Sequence, residues 1–132
     1  MSPPADGSAP LFVRRAAELV FQELPGRRSA DPLAPDPPVA MSVRVVELSP
    51  GRDRTPHRHP HSEEAVYVLA GRGRVWAAGG TTSVSAGDLV VVPRATPHAT
   101  LPDLGVTMRL LCVFPHPDLR ENLEELGGPA LG

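Results

Sequence analysis

The stretch GRDRTPHRHPHSEEAVYVLAG, residues 51–71, places three histidines and two glutamates where a proline-broken segment gives way to a β-branched run. Side chains two apart on a strand project from the same face, so His57 and His59 can aim both imidazoles at one point inside a barrel. Pro60 breaks that strand and the chain reverses through His61, Ser62 and Glu63. The returning strand carries Glu64, with Val66 and Val68 on its inward parity. Spacing alone leaves open which two of His57, His59 and His61 act together, and which of Glu63 and Glu64 joins them. A second segment, GDLVVVPRATPHATLP at 87–102, brings His98 from a separate strand after the proline-bounded turn PRATP. Imidazole and carboxylate groups gathered in this way suit a divalent transition metal ion.

Outward from these segments, the chain from Val39 onward reads as short strands separated by Gly and Pro: VAMSVRVVEL, EAVYVLA, GRVWAA, TTSVS, DLVVVP and VTMRLLCVF. Many short strands with frequent turns imply a sandwich or a barrel. In the last of them Val106, Met108, Leu110, Cys112 and Phe114 share one face, the expected core, and Thr107 and Arg109 share the other. Beyond Pro115 and Pro117, Asp118 is placed to cap a closing helix with Glu121 three residues on. Leu119, Leu123 and Leu126 form its apolar stripe and Gly127 its stop. Ahead of the strands, residues 1–38 hold eight of the 17 prolines and read as an arm packed on the barrel or on a partner. Within it, LFVRRAAELVFQEL (11–24) fits either a short amphipathic helix or two short strands flanking a turn.

Bulk composition narrows the function classes. A chain of 132 residues has room for one core, so the division is an arm at 1–38 and a barrel with its helix at 39–132. The 13 basic and 15 acidic residues are scattered, with no basic stripe, so neither nucleic acid nor membrane is an expected partner. The single cysteine, Cys112, excludes an intramolecular disulfide and fits a reducing compartment. No signal-like start and no 18-residue apolar run occurs, so the expected location is the cytoplasm.

The two histidine segments resemble the motifs of the cupin superfamily. Its first motif, G-x5-H-x-H-x4-E-x6-G, is met at every fixed position by Gly51, His57, His59, Glu64 and Gly71. Its second, G-x5-P-x-G-x2-H-x3-N, is met by Gly87, Pro93 and His98, while Ala95 replaces the second glycine and Pro102 the asparagine. The resemblance covers about residues 41–114 and implies an all-β fold: a cupin double-stranded β-helix, or jelly-roll barrel, with a proline-rich N-terminal arm and a short C-terminal helix. It also selects His57, His59, Glu64 and His98 as ligands of one divalent transition metal: Fe, Mn, Ni or Zn. Glu63 is then turned to solvent, and His61 is a spare that orients a ligand, shuttles a proton or occupies a turn.

The other conspicuous residues carry competing readings. Tyr67 and Trp76 are candidates to contact substrate, although strand aromatics usually report packing. Cys112 reads as a buried small hydrophobe, and His116 as a surface residue. Arg27, Arg28 and Arg94 could meet an anionic substrate at the barrel mouth, although a solvated arginine is the commoner outcome. Three neutral imidazoles and one carboxylate leave a divalent ion near +1, which favours a small oxygenated ligand. The resemblance implies a mononuclear non-haem metal enzyme of dioxygenase type acting on a small metabolite. The alternatives are a metal-dependent isomerase or lyase and a non-catalytic small-ligand-binding cupin. It also implies a homodimer.

Overall fold

All six β-branched runs read from the sequence, from VAMSVRVVEL to VTMRLLCVF, become strands in a computed structural model that describes residues 11–35, 39–51 and 54–127. One sheet holds, in spatial order, β1 (Phe21–Leu24), β2 (Arg27–Ala30), β3 (Ser42–Leu48), β10 (Met108–Phe114), β5 (Glu64–Ala70) and β8 (Leu89–Val92). The other holds β11 (Glu124–Glu125), β4 (His57–Arg58), β9 (His98–Pro102), β6 (Arg72–Ala77) and β7 (Gly80–Ser85). Neighbouring strands are antiparallel throughout, and the architecture is the expected all-β jelly roll. No helix among the described residues is long and apolar enough to cross a membrane.

Strand parity sets the core. Glu64, Val66 and Val68 of β5 are buried, and β10 turns Met108, Leu110, Cys112 and Phe114 inward while Arg109 is exposed. Leu110 pairs with Val68 and Cys112 with Val66, so the inward rows of the two strands lie side by side. Leu48 and Val84 complete the cluster. One end of the interior is thus apolar, and the other is handed over to the polar residues at the start of β5. Gly71 joins β5 to β6 at φ +85°, and a Cβ there would run into the carbonyl oxygen of Thr107, so the position requires glycine.

Two expectations about the chain ends are resolved. Residues 11–24, open between helix and strands, form a 3-10 turn at Ala16–Glu18 and then β1, which pairs with β2 as a hairpin. Through β2 the hairpin extends the sheet from β3, with Arg27 opposite Leu48 and Ala30 opposite Val45.

The expected closing helix over 118–127 does not form. That stretch is a series of turns ending in β11, which pairs with β4 through Glu124 opposite Arg58 and Glu125 opposite His57. Asp118 does not cap a helix. Its Oδ1 accepts from the N–H of Arg120, and the N–H of Leu126 donates to the carbonyl of Pro56 at 3.0 Å. A ten-residue helix is marginal alone. Here sheet pairing and the burial of Leu119 against the core and Leu123 in the cavity supply tertiary contacts that outweigh its local signals.

Candidate metal centre

Three separated stretches of chain converge on one end of the barrel. β4 and β9 pair with His57 directly opposite His98, and His59 follows just past β4. Glu64 opens β5, the strand that faces them from the other sheet. One ligand atom from each of His57, His59, Glu64 and His98 lies within 4.8 Å of all the others. His59, Glu64 and His98 are 4%, 4% and 3% exposed, and His57 is half-buried.

Backbone carbonyls assign the tautomers. His59 Nδ1 lies 2.8 Å from the carbonyl of Asn122, and His98 Nδ1 lies 2.9 Å from that of Thr96. A carbonyl only accepts, so in both rings Nδ1 carries the hydrogen and a neutral ring presents a lone pair at Nε2. Both Nε2 atoms face the same carboxylate oxygen, Glu64 Oε1, at 3.2 Å from His59 and 3.0 Å from His98. His59 Nε2 is buried and out of line for a hydrogen bond. Acceptors directed at an acceptor in a buried site require a cation among them, either a proton or a metal ion. Imidazoles that donate their remote N–H to a backbone carbonyl are the usual supports of a metal site, and the donor set fits a divalent transition metal.

The electrostatics agree. Burial alone would raise the Glu64 carboxyl, but the flanking imidazoles of His59 and His98 outweigh it and hold it at about 2. Burial, reinforced by its neighbouring imidazoles, drives His57 down to about 3, so its ring is neutral and able to bind a cation. His98 moves the other way: burial opposes its charge, but the Glu64 carboxylate raises it above the ordinary histidine value. The Cys112 thiol is pushed well up by burial and by Glu64, so it stays protonated.

The site is held from behind by a residue with no signal in the sequence. The fully buried Asn122 side chain accepts the His61 N–H at 2.7 Å and donates to Ser62 Oγ at 2.8 Å, while its backbone carbonyl takes His59 Nδ1–H. It lies about sixty residues from all three partners, in the stretch that reads as helix. Ala95, where the motif has glycine, adopts the left-handed conformation at φ 63°, and its N–H donates to the His59 carbonyl at 2.8 Å. The turn ahead of His98 therefore keeps a glycine-type shape without its glycine.

A cavity of about 270 Å³ opens onto the four clustered residues and is lined also by Arg27, Arg44, Arg54 and Cys112. The other sequence candidates lie outside it. Tyr67 is 43% exposed, with Leu69 on the same outward parity. Trp76 sits in β6 between Ala99 and Thr81 and does not line the cavity. His61 is exposed, its ring stacked on His116 at 5.7 Å, and Glu63 is exposed as expected. Arg28 points to the outer face, and Arg94 is exposed away from the cavity.

The Cupin domain family model matches residues 44–114, more than half of the chain, and the chain belongs to the cupin family. It is 34% identical over 88 residues to an uncharacterized protein of Methanocaldococcus jannaschii, across 67% of this chain and 70% of that one. The oxalate decarboxylase of Lactobacillus farciminis, in its formate complex, superposes with a TM-score of 0.67 at 26% identity, over 83% of this chain and 34% of that one. This chain thus spans about a third of the decarboxylase's length. The polyketide cyclase RemF from Streptomyces resistomycificus superposes at 0.72 with 22% identity, over 92% and 88% of the two chains, a likeness of fold alone.

Proposed function

We propose that His57, His59, Glu64 and His98 hold one divalent transition metal ion, Fe, Mn, Ni or Zn, and that this cupin is a mononuclear metal enzyme of dioxygenase type acting on a small oxygenated metabolite. One observation carries the metal reading: two imidazole lone pairs, each set by a backbone carbonyl, face one buried carboxylate oxygen. When bound, the ion supplies Lewis-acid activation of an oxygen donor and, if it is iron, a redox centre. The chain's own residues keep the imidazoles of His59 and His98 in the binding tautomer, hold Glu64 ionised and exclude water on the core side with Val66, Leu110 and Phe114. The likeness to a decarboxylase in complex with formate supports a small oxygenated ligand. So does a cavity of about 270 Å³, below the ~300–1,000 Å³ usual for drug-sized ligands.

Isomerase or lyase chemistry would need a group that exchanges protons near neutrality beside the substrate. Apart from the four clustered residues, the titratable groups lining the cavity are arginines, the protonated Cys112 thiol and Glu125 at the exposed rim. That inventory favours oxygen chemistry. The test is elemental analysis of untagged protein purified without chelator, followed by oxygen uptake with a metabolite panel. About one metal per chain and substrate-dependent oxygen consumption are expected. Metal without oxygen uptake, but with anaerobic turnover, moves the assignment to isomerase or lyase. Metal with no turnover of any kind moves it to ligand binding, and no metal refutes the reading.

We also propose a homodimer formed through the outer face of β5 and β8, where Tyr67, Leu69, Leu89 and Val91 are exposed side by side. In the expected 1–38 arm the described part, residues 11–35, carries the β1–β2 hairpin on the same sheet and packs on the barrel or meets the partner, while residues 1–10 and 36–38 lie outside the described residues. Light scattering showing a monomer at micromolar concentration rules the dimer out.

A further inference from the structure

β2 splits an arginine pair. Arg28 faces outward, where its guanidinium grips Glu47 with contacts of 2.8–3.2 Å and lies 4.2 Å from the Phe21 ring. Arg27 has the opposite parity. It sits opposite the buried Leu48, lines the cavity and is close enough to His57 for its charge to disfavour the imidazolium. Arg44, also in the cavity wall, is neutralised by Asp31 at 3.1 Å. Arg54 donates to the carbonyls of Gly26 and Ser49. Arg27 makes no ion pair and no side-chain hydrogen bond among the described residues. Of the carboxylates that line the cavity, Glu64 is turned to the histidines, and Glu125, exposed at the rim, forms no ion pair with Arg27.

The tip that carries Arg27 is anchored. The Gly26 carbonyl accepts both the Ser49 N–H at 2.9 Å and the Arg54 guanidinium at 3.1 Å, so β2 enters the cavity wall at a set height. A half-buried guanidinium held in a cavity wall without a counter-charge is a planar, two-pronged anion receptor, matched best by a carboxylate. Across the same small cavity lies the cation site.

We infer that Arg27 binds the carboxylate of the cavity's ligand, so that the substrate class is a short-chain organic acid with one oxygen group reaching toward the clustered histidines and a carboxylate on Arg27. The placement of the far end rests on the metal reading proposed above; the Arg27 contact does not. The test is calorimetric titration of the full chain, metal-loaded and chelated, with malonate and succinate against malonamide and succinamide. The acids are expected to bind and the amides to bind at least about tenfold more weakly, as loss of a charge-assisted contact implies.

Arg27→Gln is expected to lose at least about tenfold in acid affinity while keeping the wild-type metal content. Arg27→Lys, which keeps the charge without the planar fork, falls between them and serves as the variant of record if Arg27→Gln does not fold. Arg28→Gln, on the outer face, leaves acid binding unchanged. Acid affinity in Arg27→Gln within about threefold of wild type, equal binding of acids and amides, or no acid binding by wild type in either metal state overturns the inference. Wild type that binds no metal yet loses acid binding in Arg27→Gln sinks only the metal-enzyme reading.

Discussion

Replacing Asn122 with alanine tests whether the metal centre is supported from the C-terminal turn. The side chain is 0% exposed, and its loss removes two hydrogen bonds, a part-buried one from the His61 N–H at 2.7 Å and a buried one to Ser62 Oγ at 2.8 Å. Each is worth about 1 kcal/mol net, and the orphaned His61 N–H, being only part-buried, adds about 1 kcal/mol, the low end for an unsatisfied donor. Ser62 Oγ still donates to the Glu63 carbonyl, so its penalty is small. The expected destabilisation is therefore about 3 kcal/mol, or roughly 12 °C in Tm at about 4 °C per kcal/mol for a domain of this size. The backbone carbonyl that receives His59 Nδ1–H survives, but among the described residues no other hydrogen bond then ties its turn to residues 61–62. Metal affinity should fall about 10- to 100-fold, as it does when an outer partner of a ligand is lost. Thermal melts of chelated protein read the first effect, and zinc titration against a competing chelator reads the second. A melt within about 3 °C of wild type, together with unchanged zinc affinity, would refute the role assigned to this residue.

Other variants and conditions probe the same construction. His98→Ala should abolish tight metal binding while His61→Ala leaves it within a few-fold; equal losses would overturn the ligand assignment. In chelated protein, His57 is held at about 3, below its unfolded value near 6.5, so its contribution is complete above pH 6.5 and is lost as pH falls toward 3. That loss is on the order of 3–5 kcal/mol. His98, raised by Glu64, contributes fully below pH 6.5 and loses its share as pH rises through its folded value, so denaturant titrations should find a maximum near pH 6.5. A curve flat from pH 4 to pH 8 would contradict both shifts. Ala95→Gly, at a left-handed position, should stabilise by up to ~1 kcal/mol, and a lower Tm would show that the turn does not depend on that conformation. Gly71→Ala should cost ~3 kcal/mol or more from left-handed strain plus collision with the Thr107 carbonyl, seen as a lost or sharply lowered melt.

Period-two patterning and motif spacing determined much of this protein without any structure. The inward rows of β5 and β10 and the all-β class are legible because strand parity is a local property of the chain, whereas the choice of His57, His59, Glu64 and His98 among their neighbours comes from the resemblance to the cupin motifs. The spacing resembles the cupin motifs, and the family-model match over residues 44–114 shows the membership. What the sequence misstated or left open depends on contacts between distant segments. Local cap and stripe signals at 118–127 predict a helix, yet pairing with β4 and the hydrogen bonds of Asn122 make the stretch turns and a strand. Tyr67 and Trp76 stand out as aromatics, but the sheet leaves them outside the cavity. Arg27 and Arg28 are adjacent in sequence and chemically identical. Only the register of β2 against β3 sends one to Glu47 and the other to the cavity, because a pleated strand alternates faces and the sequence alone does not say which face is enclosed.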